Sequence, residues 1–171
     1  MQQQHMRQLA AAGLALAVAI QAVAADNDWT LDSGGFGPLK IGMSFAQAQR
    51  IAGPRLRPTA PGLRASPACD QLPLPGHEGV ALMFVDGVLG RIDLFEPGPR
   101  TTRGIQPGDR VDQAMRAYPG LRASPRDYAE DERYLTERSG ANAIRFETEK
   151  GRIENVYAGR WAQVQYIEGC L

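Results

Sequence analysis

The chain has 171 residues, with 19 basic and 19 acidic side chains and a formal net charge of zero. That balance provides no broad field for nucleic acid or an anionic membrane, so neither is an expected partner. The length has room for a leader and then one ordinary domain or two small ones.

Residues 1–25 read as a secretory signal peptide. Arg7 supplies a positive start, residues 9–20 are an almost unbroken apolar run, and Ala22-Val23-Ala24 gives a small-x-small cleavage pattern. The run is shorter than a membrane span needs. Arg7 is its only charged residue, so the processed chain carries one more acidic than basic side chain. No cysteine stands at the cleavage position to take a lipid. The expectation is an exported soluble protein, periplasmic or extracellular, with no membrane anchor. In that setting Cys69 and Cys170 predict one disulfide, two free thiols being the other reading.

After a turn at Asp32-Ser33-Gly34-Gly35, Ser44 and Gln47 have capping-box spacing, and Phe45, Ala48 and Ile51 share one helical face. Gly53-Pro54 ends that helix. Six prolines at 54, 58, 61, 67, 73 and 75 keep the next stretch from forming a long helix. Residues 80–85 and 89–95 read as strands joined by Asp86-Gly87, a strong hairpin signal, and Pro97-Gly98-Pro99 marks a boundary. A second helix starts at Asp109 or Arg110 with Val111, Ala114 and Met115 on its face, and ends at Tyr118-Pro119-Gly120. A charged connection over 122–133 follows. Then come a short strand at 134–136 and strands at 143–148, 152–157 and 161–167.

Two stretches repeat. Superposing Gly42 on Gly108 pairs Leu39 with Ile105, Phe45 with Val111, Gln47 with Gln113, Ala48 with Ala114 and Arg50 with Arg116. Further on, Gly90-Arg91-Ile92-Asp93 is echoed by Gly151-Arg152-Ile153-Glu154. The chain is therefore expected to hold two tandem copies, 26–99 and 100–171, of a short helix followed by an antiparallel sheet. That is an α+β fold with its helices on one side.

Catalytic chemistry is thinly represented. His77 is the single histidine beyond the leader and sits on a Pro-Gly turn without a G-x-S-x-G partner, so it reads as a solvated loop residue. Zinc needs three or four nitrogen or sulfur ligands, and calcium needs acidic loop residues at a set spacing. Asp127, Glu130, Asp131 and Glu132 lack that spacing and read as a solvated turn. Asp93 and Glu154 match in the repeat and could form a carboxylate pair, although a hairpin's exposed charges explain them more simply. No catalytic residue, metal or cofactor is expected. The candidate binding surface is Tyr157, Arg160 and Trp161, residue types enriched at interface hot spots. The alternative is that Tyr157 and Trp161 pack into the sheet.

The segment Gly42-Met43-Ser44, with Ala48 and then Gly53-Pro54, resembles a helix motif of small bacterial envelope modules. These include the small lipoprotein of the outer-membrane β-barrel assembly machinery (SmpA/OmlA-type) and secreted β-lactamase inhibitor proteins. The inhibitors are built as tandem copies of helices followed by an antiparallel sheet. The resemblance implies that architecture and a binding role, and it identifies no functional residue. The expected function is an exported, non-enzymatic, protein-binding module whose partner is another envelope or secreted protein. An envelope assembly factor is the first alternative and a carboxylate-dependent hydrolase the second.

Overall fold

The computed structural model describes residues 29–127 and 129–170; the expected leader lies outside them. Strands β1 (Thr30–Asp32), β2 (Gly35–Phe36) and β3 (Leu39–Lys40) lead into helix α1 (Phe45–Ala52). Next come β4 (Cys69–Pro73), β5 (Val80–Val85), β6 (Val88–Leu94), β7 (Arg100–Thr101) and helix α2 (Val111–Ala117). The chain continues through β8 (Arg122–Arg126), β9 (Ala129–Ser139), β10 (Asn142–Glu149), β11 (Arg152–Arg160) and the short helix α3 (Trp161–Val164). The fold is α+β. A small sheet has the order β3-β2-β1-β7, and a seven-stranded antiparallel sheet has the order β4-β5-β6-β11-β10-β9-β8.

Local chemistry accounts for the elements. The Ser44 hydroxyl accepts from Gln47 N–H, and the Gln47 side chain accepts from Ser44 N–H at 2.8 Å, so two orphan donors of α1 are satisfied. At α2 the Gln113 side chain accepts from Arg110 N–H at 2.9 Å. Both helices are short, and each fully buries one alanine, Ala48 and Ala114. Ile51 and Met115, expected on the packed faces, are exposed instead because so short a helix presents only a narrow stripe to the sheet. Asp86-Gly87 and Lys150-Gly151 turn the two central hairpins, each with consecutive positive φ angles (51° and 74°, 49° and 74°). Two-residue turns of that hand match the right-handed twist of the flanking strands.

The two hairpins, β5–β6 and β10–β11, are held the same way. Gly42 N–H donates to Leu89 O, Leu89 N–H to Met43 O and Phe45 N–H to Gly87 O, each at 2.8 Å. Gly108 N–H donates to Ile153 O, Ile153 N–H to Asp109 O and Val111 N–H to Gly151 O, at 2.7, 2.8 and 3.1 Å. Both hairpins also carry an irregularity, between Met83 and Phe84 and between Glu147 and Thr148. Counted from the two turns, Gly87 corresponds to Gly151 and Asp93 to Tyr157, whereas the sequence match set Asp93 against Glu154. β6 and β11 lie side by side, with Leu94 against Val156, Asp93 against Tyr157 and Ile92 against Ala158.

Alternation divides the large sheet into two faces. Leu82, Leu89, Ile92, Phe146, Ile153 and Val156 face α1, α2 and the small sheet, where Leu31, Phe36 and Leu39 complete one core. Each such side chain, fully buried, contributes about 2 kcal/mol. The other face carries Met83, Arg91, Asp93, Arg145, Glu147 and Tyr157. Helix α3 crosses that second face, with Val164 packed on Ala143 and Tyr157. Helices therefore lie on both sides, not on one.

Three further expectations change. Residues 161–167 form α3 and an irregular strap, not a strand, because β11 is already paired on both edges, by β6 and β10. The short strand at 134–136 is the middle of β9, and β8 lies inside the expected charged connection. The proline-rich stretch forms no long helix, as expected, and contains β4, which opens at Cys69 where the chain is bridged to Cys170.

Candidate functional site

The second face of the sheet is the most polar buried surface among the described residues. Arg91 sits at its centre. Its Nε lies 2.7 Å from Asp93 Oδ1 and its Nη2 donates to Asp93 Oδ2 at 3.0 Å, a two-pronged contact buried on both sides. Gln71 donates to the same Oδ2. The third nitrogen, Nη1, donates to the carbonyls of Gln163 at 3.2 Å and Tyr166 at 2.7 Å. The guanidinium also lies 4.5 Å from the centre of the Tyr157 ring. One side chain thus ties β6 to the strap that follows α3. Burial pushes the Asp93 carboxyl above its ordinary pKa, while the Arg91 charge opposes that rise.

A second network lies beside the first on β10 and β11. Tyr157 donates its hydroxyl to Glu147 Oε1 at 2.8 Å, and Asn155 donates to Glu147 Oε2 at 2.6 Å. Arg126, from β8, reaches both Glu147 at 3.8 Å and Glu154 at 2.5 Å. The irregularity after Glu147 brings Asn155 opposite it, and such bulges commonly re-aim side chains at functional sites. Burial, followed by the Glu147 charge, raises the Tyr157 pKa far out of the physiological range, so the phenol stays protonated and donates. On β9 Tyr134 lies under the Arg145 guanidinium, 4.7 Å from ring centre to Cζ. Arg145 also donates to Thr136 at 2.9 Å and to Gln165 of the strap at 2.8 Å.

These networks floor two adjoining clefts. The larger, about 540 Å³, is lined by Arg126, Tyr134, Glu147 and Glu154, among others. The smaller, about 280 Å³, is lined by Arg91, Asp93 and Tyr157. Glu147, Asn155, Ile167 and Glu168 border both, so the strap runs between them as a partial roof. The Cys69–Cys170 bridge closes the far end of that strap, with a Cα separation of 5.4 Å. Among the described residues, no group of three or more His, Cys, Asp or Glu side chains is placed to hold a metal ion.

Of the residues expected to form one surface, Tyr157 and Trp161 lie side by side and Arg160 points away from them. Tyr157 is 4 % exposed and serves the internal network. Trp161 is half-buried beside it, capped by Arg138 at 4.7 Å. Arg160 is exposed and extends to the opposite side, near Gly42. The cause is the pleat: alternate residues of β11 face opposite ways. His77 is also not a free loop side chain. It packs 4.1 Å from Trp29 and 5.6 Å from Phe36, and burial lowers its pKa.

Arg91, Arg126, Tyr134 and Glu147 were not singled out from the sequence. Alternation in 143–148 does set Arg145 and Glu147 apart from Ile144 and Phe146. Nothing local to those residues shows that their face is covered, because the cover arrives from the C-terminal end of the chain.

No protein-family model matches the chain, and no curated protein matches it. Among solved structures, the chain is similar to a DUF4309 family protein (YjgB) from Bacillus subtilis. The TM-score is 0.45 and the identity 13 %, covering 68 % of this chain and 78 % of that one. Among the described residues no helix is long and apolar enough to cross a membrane.

Proposed function

We propose that the processed chain is an exported, non-enzymatic binding module, that its ligand is a protein, and that the ligand seats in the cleft over Glu147. The reading includes two tandem copies of one helix-and-hairpin unit, fused through β6 and β11. Its precedent is the tandem inhibitor modules that the Gly42-Met43-Ser44 motif resembles. The observation that carries it is the state of the charged groups on the cleft floor. Glu147 turns one oxygen to Tyr157 and the other to Asn155, and Arg126 spans Glu147 and Glu154. A catalytic carboxylate has to reach its substrate's proton; these are committed to a preorganised surface, which favours recognition.

Affinity capture tests it, using the oxidised chain as bait and the envelope fraction of its own source as prey. The expected result is one protein partner whose retention is lost when Asp127 and Glu168, on the cleft rim, become Asn and Gln. A partner retained equally by that variant removes the cleft from the reading.

A carboxylate-dependent hydrolase is the second reading, favoured by the contact of Glu147 and Glu154 with one guanidinium inside a cleft of ligand size. Turnover of aryl glycosides that is abolished by Glu154→Gln would raise it above the first.

A further inference from the structure

Deepening the binding-module reading and resting on it, we infer that the larger cleft recognises a basic side chain of the partner, an arginine guanidinium or a lysine ammonium on its aliphatic stem. The chain as a whole is neutral, whereas the cleft is not. Six carboxylates border it, on Asp127, Glu132, Glu147, Glu149, Glu154 and Glu168, against two cations, Arg126 and Lys150. The cations are already engaged, Arg126 with Glu147 and Glu154, Lys150 with Glu149. Asp127 and Glu168 have no ion-pair or hydrogen-bond partner among the described residues. A concave site lined by one sign of charge focuses the field and raises the local concentration of the opposite charge.

An independent observation points to a ligand at the same place. Tyr134 is 3 % exposed, and its hydroxyl is buried without a hydrogen-bond partner among the described residues. Buried hydroxyls are nearly always satisfied, and an orphan asks for a missing partner. Tyr134 lines the cleft, and its hydroxyl sits just beneath the surface in the field of Glu147, Asp127 and Arg126. As an acceptor it can take an N–H from an entering guanidinium or ammonium.

The surroundings favour a side chain on a peptide over a free polyamine. Ile167 borders both clefts and is 45 % exposed, and Phe95 borders the smaller one and is 46 % exposed. Apolar groups beside carboxylates suit a methylene stem carrying a charged head, with the polypeptide continuing along the strap.

The test is calorimetric titration of the oxidised full chain with acetyl-Leu-Arg-Gly-amide at low salt. Spermidine and acetyl-Leu-Glu-Gly-amide are the comparison probes. The arginine peptide should bind, and the glutamate peptide should not. Affinity should fall as salt rises from about 0.01 to 0.15 M, because exposed charges become screened. Tyr134→Phe should weaken it about fivefold, and Asp127→Asn with Glu168→Gln about tenfold, with circular dichroism unchanged. The inference is overturned if no basic probe binds, or if binding ignores all three substitutions. Spermidine binding as tightly as the peptide overturns the peptide assignment. If the arginine peptide fails but the captured envelope partner still depends on Asp127 and Glu168, the inference falls and the binding-module reading stands.

Discussion

The hairpins β5–β6 and β10–β11 share a backbone and differ in what they carry. Both turn on two positive-φ residues, both have an irregularity near the turn, and both are clamped by the segment preceding a short helix. With the turns aligned, Met83 corresponds to Glu147, Arg91 to Asn155 and Asp93 to Tyr157. The first hairpin spends its second face on a closed ion pair and a fully buried methionine. The second places a carboxylate at the methionine's position and opens a cleft above it. Backbone devices set where side chains stand, and the side chains then decide whether a position is structural or available to a ligand.

Cutting the strap should have the largest effect on that contrast. The Cys69–Cys170 bridge spans 101 residues, and closing a loop of that length is worth about 4–5 kcal/mol in a chain-entropy treatment. Cys69→Ala with Cys170→Ala should lower unfolding free energy by about 3–5 kcal/mol in urea titration, and free the strap from both clefts. Arg91→Ala attacks the first hairpin directly. It strands Asp93 at 6 % exposure and removes the tie to Gln163 and Tyr166, so a loss of about 3–5 kcal/mol is expected. Replacing Arg91 and Asp93 together with Met and Leu should cost much less, and an equal cost would show that the pair is not the cause. Gly159→Ala tests the seam between the hairpins. A Cβ there would stand 2.1 Å from Gly90 O and 2.8 Å from Arg91 Cα, both backbone. A destabilisation of about 2–3 kcal/mol should follow, whereas Gly62→Ala, with open space around it and no positive φ, lacks that clash.

How legible this was depends on the range of the interactions. The capping box at Ser44 and the turn at Asp86-Gly87 are written in adjacent residues, and both form. The bridge of Cys69 to Cys170 is long-range but followed from there being two cysteines. The strap was misjudged because alternation over 161–167 fits a strand equally well, and only the occupied edges of β11 exclude it. The cleft was missed for a related reason. Glu147 and Tyr134 look like solvent-facing strand residues until the C-terminal strap is laid across their sheet. At the hairpins, the turn residues Asp86-Gly87 and Lys150-Gly151 fix a correspondence that the match of Gly90 to Gly151 does not follow.

Two smaller effects sharpen the comparison. Tyr157→Phe removes one donor from Glu147 and leaves Asn155 and Arg126 in place, so a loss of about 1.5–2 kcal/mol is expected in the same urea titration.

The smallest is a pH effect, and it belongs to the first half of the chain. Burial beside Trp29 lowers the His77 pKa below its ordinary value of 6.5, which favours the neutral ring in the native state. Between the native and unfolded pKa values the unfolded chain binds more protons, and stability therefore rises with pH there. Its contribution is complete above about pH 6.5 and is lost as pH falls through the lowered native value. His77→Phe keeps an aromatic ring against Trp29 and deletes the titration. Thermal midpoints measured from pH 5 to 8 should slope less for the variant than for the parent chain. Identical slopes would mean that the imidazole charges as freely in the fold as in the unfolded chain, and that its packing against Trp29 is not felt by the proton.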